Sequence, residues 1–239
     1  MAVRAVPLPA APRHVAIIMD GNRRWSHQHG LDLMEGYRRG VGALRSAVAA
    51  AIDHRVDVLT VYGFSTENWR REASEVSLLM HVCASAAQSE LFGLVRESVR
   101  VRVVGDIAPF PRQTRAALKQ LVNATAKNSR LTLQLALNYS GRAEILRAVR
   151  SIVAEAATGN VRSDQIDETF LRARMYAPDC PDPDLLIRTG GDLRVSNFLL
   201  YQLAYTEIVA TPVLWPDFDA SHFAAAISDF DHRRRRFGA

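Results

Sequence analysis

Three short polar segments carry the residue types needed to grip a phosphorylated ligand. Asp20-Gly21-Asn22-Arg23-Arg24-Trp25 follows the apolar run HVAIIM, Ser65-Thr66-Glu67-Asn68-Trp69-Arg70-Arg71 follows VLTVYGF, and Arg188-Thr189-Gly190-Gly191 leads to Arg194 and Ser196. Asp20 offers a carboxylate at the end of a strand-like run, and Gly21 lets backbone N–H groups come close to a ligand. A hard cation such as Mg²⁺ is usually held by one or two carboxylates plus substrate phosphates, so one aspartate is chemically sufficient. An N-cap or a turn is the competing reading for such an aspartate. The neighbouring guanidiniums, which suit a diphosphate, favour anion binding. Arg70 and Arg71, with Ser65 and Asn68, repeat the offer of charge and polar groups, against a plain solvated surface. Arg188, Arg194 and Ser196 form a second candidate anion site, with Ser196 expected to cap a helix beginning near Asn197. Two anion sites imply two anionic substrates. Glu207, in YTEIVAT, is a carboxylate where a buried strand is expected, and it needs a cation or an arginine there.

These segments must be held together by regular elements. Apolar β-rich runs occur at His14 to Asp20, Val58 to Phe64, Val99 to Gly105, Leu131 to Asn138 and Asp184 to Arg188. Between them, Gly36 to Asp53, Ser74 to Ser98, Arg112 to Lys127, Ser140 to Ala157 and Asp219 to Arg233 carry apolar residues at three-to-four spacing, which predicts helices. Strand then helix is the α/β signature, and near-continuous apolar strands predict a mainly parallel sheet flanked by helices on both faces. With no internal repeat or low-complexity linker, residues 13–239 read as one domain. The proline-bearing stretch 1–12 reads as a flexible arm, not a signal peptide. In an open parallel sheet ligands gather beyond the carboxyl ends of the strands, where the three polar segments fall.

The 239 residues are 48% hydrophobic and 23% charged, which excludes disorder and collagen-like structure. The formal charge of +5 favours anionic partners without choosing among them. Two cysteines, Cys83 and Cys180, suggest neither a disulfide framework nor a metal site and suit a reducing cytosol. No run of about 18 apolar residues reads as a membrane span. Gly40-Val41-Gly42 lies inside a helical pattern and is no dinucleotide fingerprint. His27-Gln28-His29 lacks further ligands at metal spacing. The basic run Arg233 to Arg236 is unaccompanied by stacking aromatics, so it reads as a solvated helix end and no nucleic-acid partner is expected.

The blocks HVAIIMDGNRRW, YGFSTENWRR, NYSGR, DLLIRTGGDLRVSNFLLYQLAYTEI and VLWPDF occur in order and together resemble the cis-prenyltransferases. That resemblance implies a magnesium-dependent transferase that joins isopentenyl diphosphate to an allylic diphosphate, farnesyl or geranyl, with cis geometry. By matching positions, Asp20 would bind Mg²⁺ on the allylic diphosphate, while Gly21, Asn22, Arg23, Arg24 and Arg71 hold its phosphates. Arg188, Arg194 and Ser196 would hold isopentenyl diphosphate, and Glu207 would help bind that substrate or its metal. Ser65 and Asn68 match residues placed near the reacting carbons. Trp25 and Trp69, in the same segments, are counted with the substrate contacts. A growing chain needs an apolar tunnel, for which Met19, Val48, Gly63, Leu79, Leu131 and Leu133 are the candidate walls. The resemblance further implies a homodimer in the cytoplasm. Product chemistry and basic charge suggest peripheral contact with the inner membrane face.

Several positions depart from the family pattern. Leu33 stands where many bacterial members have an arginine, and Tyr37 and Leu193 stand where histidine is usual, so the donor site looks less basic. Glu72 for a proline and Ser140 for a glycine look milder. Gly63 replaces the bulky residue of short-chain producers, which predicts a long product such as a lipid carrier. Three other readings stay open: a short-chain or irregular coupling enzyme, a non-catalytic partner subunit of the same fold, and a nucleic-acid-binding protein resting on net charge alone.

Overall fold

Residues 12–233 are described by the computed structural model. The expected arm, except Pro12, and the tail beyond Arg233 lie outside the described residues. The five apolar runs form β1 (His14–Ile18), β2 (Val58–Ser65), β3 (Val99–Val104), β4 (Leu131–Tyr139) and β5 (Leu185–Arg188), and the segment around Glu207 adds a sixth strand, β6 (Glu207–Ala210). They build one wholly parallel sheet in the order β3-β4-β2-β1-β5-β6. Every residue of β1 is buried, as expected for a central strand covered on both faces.

Among the described residues seven α-helices lie between the strands, α1 (Asn22–Gln28), α2 (Leu33–Asp53), α3 (Ala73–Ser89), α4 (Leu91–Arg96), α5 (Arg112–Thr125), α6 (Gly141–Ala157) and α7 (Glu168–Arg172), and α8 (Ala220–His232) follows β6. On one face of the sheet, Val15, Ile17, Leu59 and Val61 pack with α2, α3, α5 and α8. On the other, Ala16, Ile18, Ala136 and Leu186 pack with Tyr139, Phe198 and Leu199. Local chemistry sets several boundaries. The Asp32 carboxylate accepts from the Glu35 N–H at 2.8 Å to start α2, and the Ser140 hydroxyl accepts from the Ala143 N–H at 3.2 Å to start α6.

Three expectations need correction. The helical pattern over Ser74 to Ser98 breaks at Glu90 into α3 and α4. The Ser89 hydroxyl there bonds back to the Ala86 carbonyl at 3.4 Å, a local alternative that loosens a helix. No helix begins near Asn197. Ser196, Asn197 and Leu199 have φ of 48°, 64° and 42°, left-handed values that make this stretch a chain of turns. Finally, Asn22–Gln28 is a helix that charge and length hide from periodicity, being seven residues with two arginines.

Strand order fixes where a ligand can bind. The chain moves from β1 towards β2 on one side and reaches β5 on the other, so the crevice at a topological switch point opens above β1 and β5. Ile18 pairs with Arg188 at that end of the sheet. Asp20 and Arg188 are therefore neighbours by topology.

Candidate active site

The carboxylate of Asp20 sits above the switch point between two guanidiniums. Arg188 Nη2 donates to Oδ2 at 2.7 Å, and Arg24 Nη2 lies 3.2 Å from Oδ1. Partial burial pushes the Asp20 carboxyl up, yet the Arg188 hydrogen bond and charge, aided by Arg24, leave it below the usual aspartate range. It stays ionised through neutral pH. The loop is fixed from behind: the Asp20 N–H donates to Thr189 Oγ1 at 2.9 Å, and that hydroxyl donates to the Asp20 carbonyl at 2.7 Å.

Glycine is required twice here. Gly21 has φ of 119°, and an added Cβ would lie 2.9 Å from Leu214. Gly190 has φ of 84°, and its Cβ would lie 2.3 Å from Arg24 Nη2. The Gly190 carbonyl accepts from Arg24 Nη1 at 2.6 Å, so the glycine turn both admits and aims that arginine.

Arg188 is 4% exposed at its side chain. Its Nη1 donates to Ser196 Oγ at 2.8 Å and to the Arg194 carbonyl, while its Nε is buried without a protein partner. A buried charged donor left open is a natural seat for an anion. Arg194 itself is exposed and pairs with Asp192 at 2.6 Å. Ser196 therefore caps no helix and positions Arg188 instead.

The second segment reaches the first through a group that the sequence reading missed. Glu75, on α3, is 4% exposed. Its Oε1 accepts from Tyr37 Oη at 2.8 Å and from Arg71 Nη1 at 2.9 Å, and its Oε2 from Arg23 Nη2. Burial raises its carboxyl, but the tyrosine hydrogen bond and the two arginines hold it below the usual glutamate range. Spacing could have revealed it, since Arg71 and Glu75 are four apart across the start of α3. Tyr37, one of the departures, thus holds the carboxylate that gathers Arg23 and Arg71. Leu33 lies in the first turn of α2, and Leu193 is 78% exposed.

Ser65 ends β2 and Asn68 lies in the 3-10 turn that follows, with the Ser65 N–H donating to Asn68 Oδ1 at 3.0 Å. Asn197 Nδ2 donates to Glu67 Oε1 at 2.7 Å and ties this segment to the third. Both tryptophans are otherwise engaged. Trp25 is buried with Nε1 donating to Asp217 at 2.8 Å. Trp69 donates to Asn138 at 2.8 Å and packs edge-on against Phe64. Glu207 is not brought to the cluster. It pairs with Leu185 at the opening end of β5, three residues before Arg188, and its Oε2 accepts from Arg233 Nη1 at 3.2 Å. The expectation of a buried strand needs correction, because β6 is a half-exposed edge strand, and Glu207 meets an arginine roughly 10 Å below the level of Arg188 by strand rise.

An apolar cavity of 530 Å³ opens beside Asn22 and Tyr37 and runs along α2. Of the expected walls, Met19, Val48, Gly63, Leu79 and Leu133 line it. Leu131 does not and is buried in the core at 1% exposure. Gly63 sits at an irregularity where β2 slips register against β4 between Tyr62 and Phe64, so its missing side chain leaves the wall open.

Known proteins match this arrangement. The sequence model of the family described as "Putative undecaprenyl diphosphate synthase" matches residues 18–238. The chain belongs to this family. It is 49% identical over 227 residues to an isoprenyl transferase of Heliobacterium mobile, covering 95% of this chain and 87% of the relative. It is 46% identical over 229 residues to the ditrans,polycis-undecaprenyl-diphosphate synthase of Pectobacterium atrosepticum, described as (2E,6E)-farnesyl-diphosphate specific, covering 96% and 90%. Among solved structures, lavandulyl diphosphate synthase from Lavandula x intermedia in complex with dimethylallyl diphosphate superposes with a TM-score of 0.94 at 32% identity, covering 96% and 99%. A probable undecaprenyl diphosphate synthase from Campylobacter jejuni gives 0.80 at 27% identity, covering 95% and 99%. This cis-prenyltransferase is thus an enzyme of prenyl chain elongation, with its polar cluster at the sheet's switch point and its apolar cavity beside it. No helix among the described residues is long and apolar enough to cross a membrane.

Proposed function

We propose that the protein condenses isopentenyl diphosphate with an allylic diphosphate, farnesyl or geranyl, to make a long cis-polyprenyl diphosphate. The observation that carries this reading is the Asp20–Arg24–Arg188 cluster standing beside an apolar cavity of 530 Å³. One end of the site suits diphosphate and the other suits hydrocarbon. Burying one five-carbon unit is worth roughly 3–4 kcal/mol, enough to retain intermediates between additions.

The donor set fits magnesium, since one ionised carboxylate with space for phosphate oxygens is the usual protein share of such a site. Asp20 would hold it. When bound, the cation neutralises charge on the departing diphosphate. The chain's own groups do the rest: Arg24, aimed by the Gly190 carbonyl, offers its fork to phosphate. The open Nε of Arg188 takes an oxygen of the second substrate, and Glu75 holds Arg23 and Arg71 at the rim of the donor site. Ser65 and Asn68, fixed to one another, flank the reacting carbons. The apolar walls exclude water from the allylic cation.

Radiolabelled isopentenyl diphosphate, supplied with Mg²⁺ and farnesyl diphosphate, is expected to enter a butanol-extractable product. Absence of incorporation with every allylic primer would refute the reading and favour a non-catalytic partner subunit. Product chromatography against chain-length standards separates a long product from short-chain or irregular coupling. A side chain at Gly63 would start 3.0 Å from Leu137 Cδ2 and enter the cavity, so Gly63→Leu is expected to shift the product ladder to shorter chains with incorporation retained. An unchanged ladder would place the growing chain elsewhere.

A further inference from the structure

The block NYSGR, residues 138–142, sends no side chain into the polar cluster, yet the turn that carries Ser196 is fastened to it. The Gly141 N–H donates to the Asn197 carbonyl at 2.7 Å, and the Arg142 N–H donates to Asn197 Oδ1 at 3.0 Å. Both are first-turn donors of α6, which have no partner inside the helix, and the Ser140 hydroxyl takes the next one at Ala143. Asn197 thus caps α6 from 55 residues further along the chain. Gly141 makes this approach possible, since a Cβ there would lie 2.9 Å from the Leu200 backbone nitrogen.

The other end of the same amide reaches a different segment. Asn197 Nδ2 donates to Glu67 Oε1 at 2.7 Å, and Glu67 directly precedes Asn68. A backbone N–H at Oδ1 and a carboxylate at Nδ2 fix which way the amide points. Partial burial raises the Glu67 carboxyl, yet the Asn197 hydrogen bond, with help from Ser65 and Thr66, leaves it below the usual glutamate range. The backbone of the turn is held in sparsely populated conformations, with φ of 48° at Ser196, 64° at Asn197 and 42° at Leu199. Such values persist where surrounding contacts over-determine them, and asparagine tolerates them better than most residues. Phe198 adds a contact from β2, its buried ring stacked on Tyr62 at 4.4 Å. The turn so fixed presents Ser196 Oγ and the Arg194 carbonyl to Arg188 Nη1. A chain of contacts therefore runs from Glu67 through Asn197 and Ser196 to Arg188.

We propose that Asn197 is a positioning residue for the second substrate. It clamps the Arg194–Leu199 turn to α6 on one side and to Glu67 on the other, and so sets Arg188 and Ser196 at a fixed place relative to Ser65 and Asn68. The inference rests on the reading of Arg188 and Ser196 as the seat of isopentenyl diphosphate. It differs from a role in holding the fold, because loss of a fold contact weakens both substrates alike, whereas loss of this clamp weakens one.

The test titrates isopentenyl diphosphate into the full chain by calorimetry, in Mg²⁺ buffer with the allylic site filled by farnesyl thiodiphosphate. Asn197→Gly keeps the left-handed backbone and the carbonyl bond to Gly141 but removes the amide. It is expected to bind isopentenyl diphosphate about tenfold more weakly, with affinity for farnesyl thiodiphosphate within about twofold of the wild type. Asn197→Asp sets a second carboxylate against Glu67 and is expected to lose as much. In a Glu67→Gln background the glutamine amide can donate to that carboxylate, so the same substitution is expected to cost about twofold or less. Unchanged affinity for isopentenyl diphosphate in Asn197→Gly, an equal loss for both ligands, or an Asn197→Asp loss that ignores Glu67→Gln overturns the proposal. Collapse of the fold in both variants does the same, since it makes Asn197 a structural residue. Binding is read apart from turnover. A chain that shows this selectivity but incorporates no radiolabel refutes the condensing activity and leaves the positioning role standing, whereas a wild type that binds no isopentenyl diphosphate refutes the seat and the proposal together.

Discussion

Asp20→Ala is expected to abolish chain elongation, with kcat/KM falling at least about a thousandfold, or roughly 4 kcal/mol. The carboxylate has two tasks in this geometry. It bridges Arg24 and Arg188, so its loss removes the expected seat for the cation and the anchor that aims both guanidiniums. Folding should survive, because Arg188 keeps Ser196 Oγ at 2.8 Å and Asp192 at 3.5 Å, and the Thr189 hydroxyl still fixes the loop through main-chain groups. Asp20→Asn is the sharper control, for it keeps size and polarity while removing charge. Turnover of either variant within tenfold of the wild type would move the chemistry away from this loop. Matching thermal unfolding of the variants and the parent would confirm that the loss is chemical.

The geometry explains which parts of this site were readable in the residues alone. Asp20 and Arg188 each end an apolar strand, and a parallel sheet delivers strand ends to one edge, so their meeting follows from pattern and topology. Glu75 was hidden because its importance comes from Tyr37 and Arg23, distant in sequence and joined only by the packing of α1, α2 and α3. Thr189 was hidden for a similar reason, as its hydroxyl works on the main chain of Asp20 across two strands. The boundaries of β1 to β5 lie within about two residues of their apolar runs, since burial leaves a plain signal, whereas the half-exposed edge strand β6 had no such run. The break at Glu90 carries no proline or glycine to announce it, and of the left-handed turn residues only Asn197 is of a type that favours that conformation, Ser196 and Leu199 giving no sign of it. Glu207 shows a limit of another kind. Its residue type called for a cation or an arginine in a buried strand, whereas it lies on a half-exposed edge strand and meets Arg233 at the opposite end of β5 from Arg188.

Stability below neutral pH is expected to fall because of His14, buried at 3% exposure in the opening residue of β1. One ring nitrogen, Nδ1, donates to the Pro181 carbonyl at 2.7 Å, and Nε2 lies 2.7 Å from Thr60 Oγ1. Burial pushes its pKa down from 6.5 to about 4, against the smaller opposing pull of the Pro181 hydrogen bond and of Asp184 and Asp182, with Arg172 adding to the fall. The folded chain therefore keeps the ring neutral while the unfolded chain protonates it. This contribution is complete above about pH 6.5 and is lost as pH falls towards about 4, in total about 3 kcal/mol. That is a large share of a domain's usual stability of about 5–15 kcal/mol. The depressed carboxyls of Asp20 and Glu75 act in the same direction but start lower, from their unfolded values of 3.8 and 4.5, so the interval above them isolates the histidine. Urea unfolding of the wild type at about pH 7.5 and about pH 5 should show most of this loss. In His14→Gln, which keeps polar groups but cannot titrate, the difference between the two pH values should shrink to a small residue. Equal slopes in the two proteins would mean that some other group takes up the proton on unfolding.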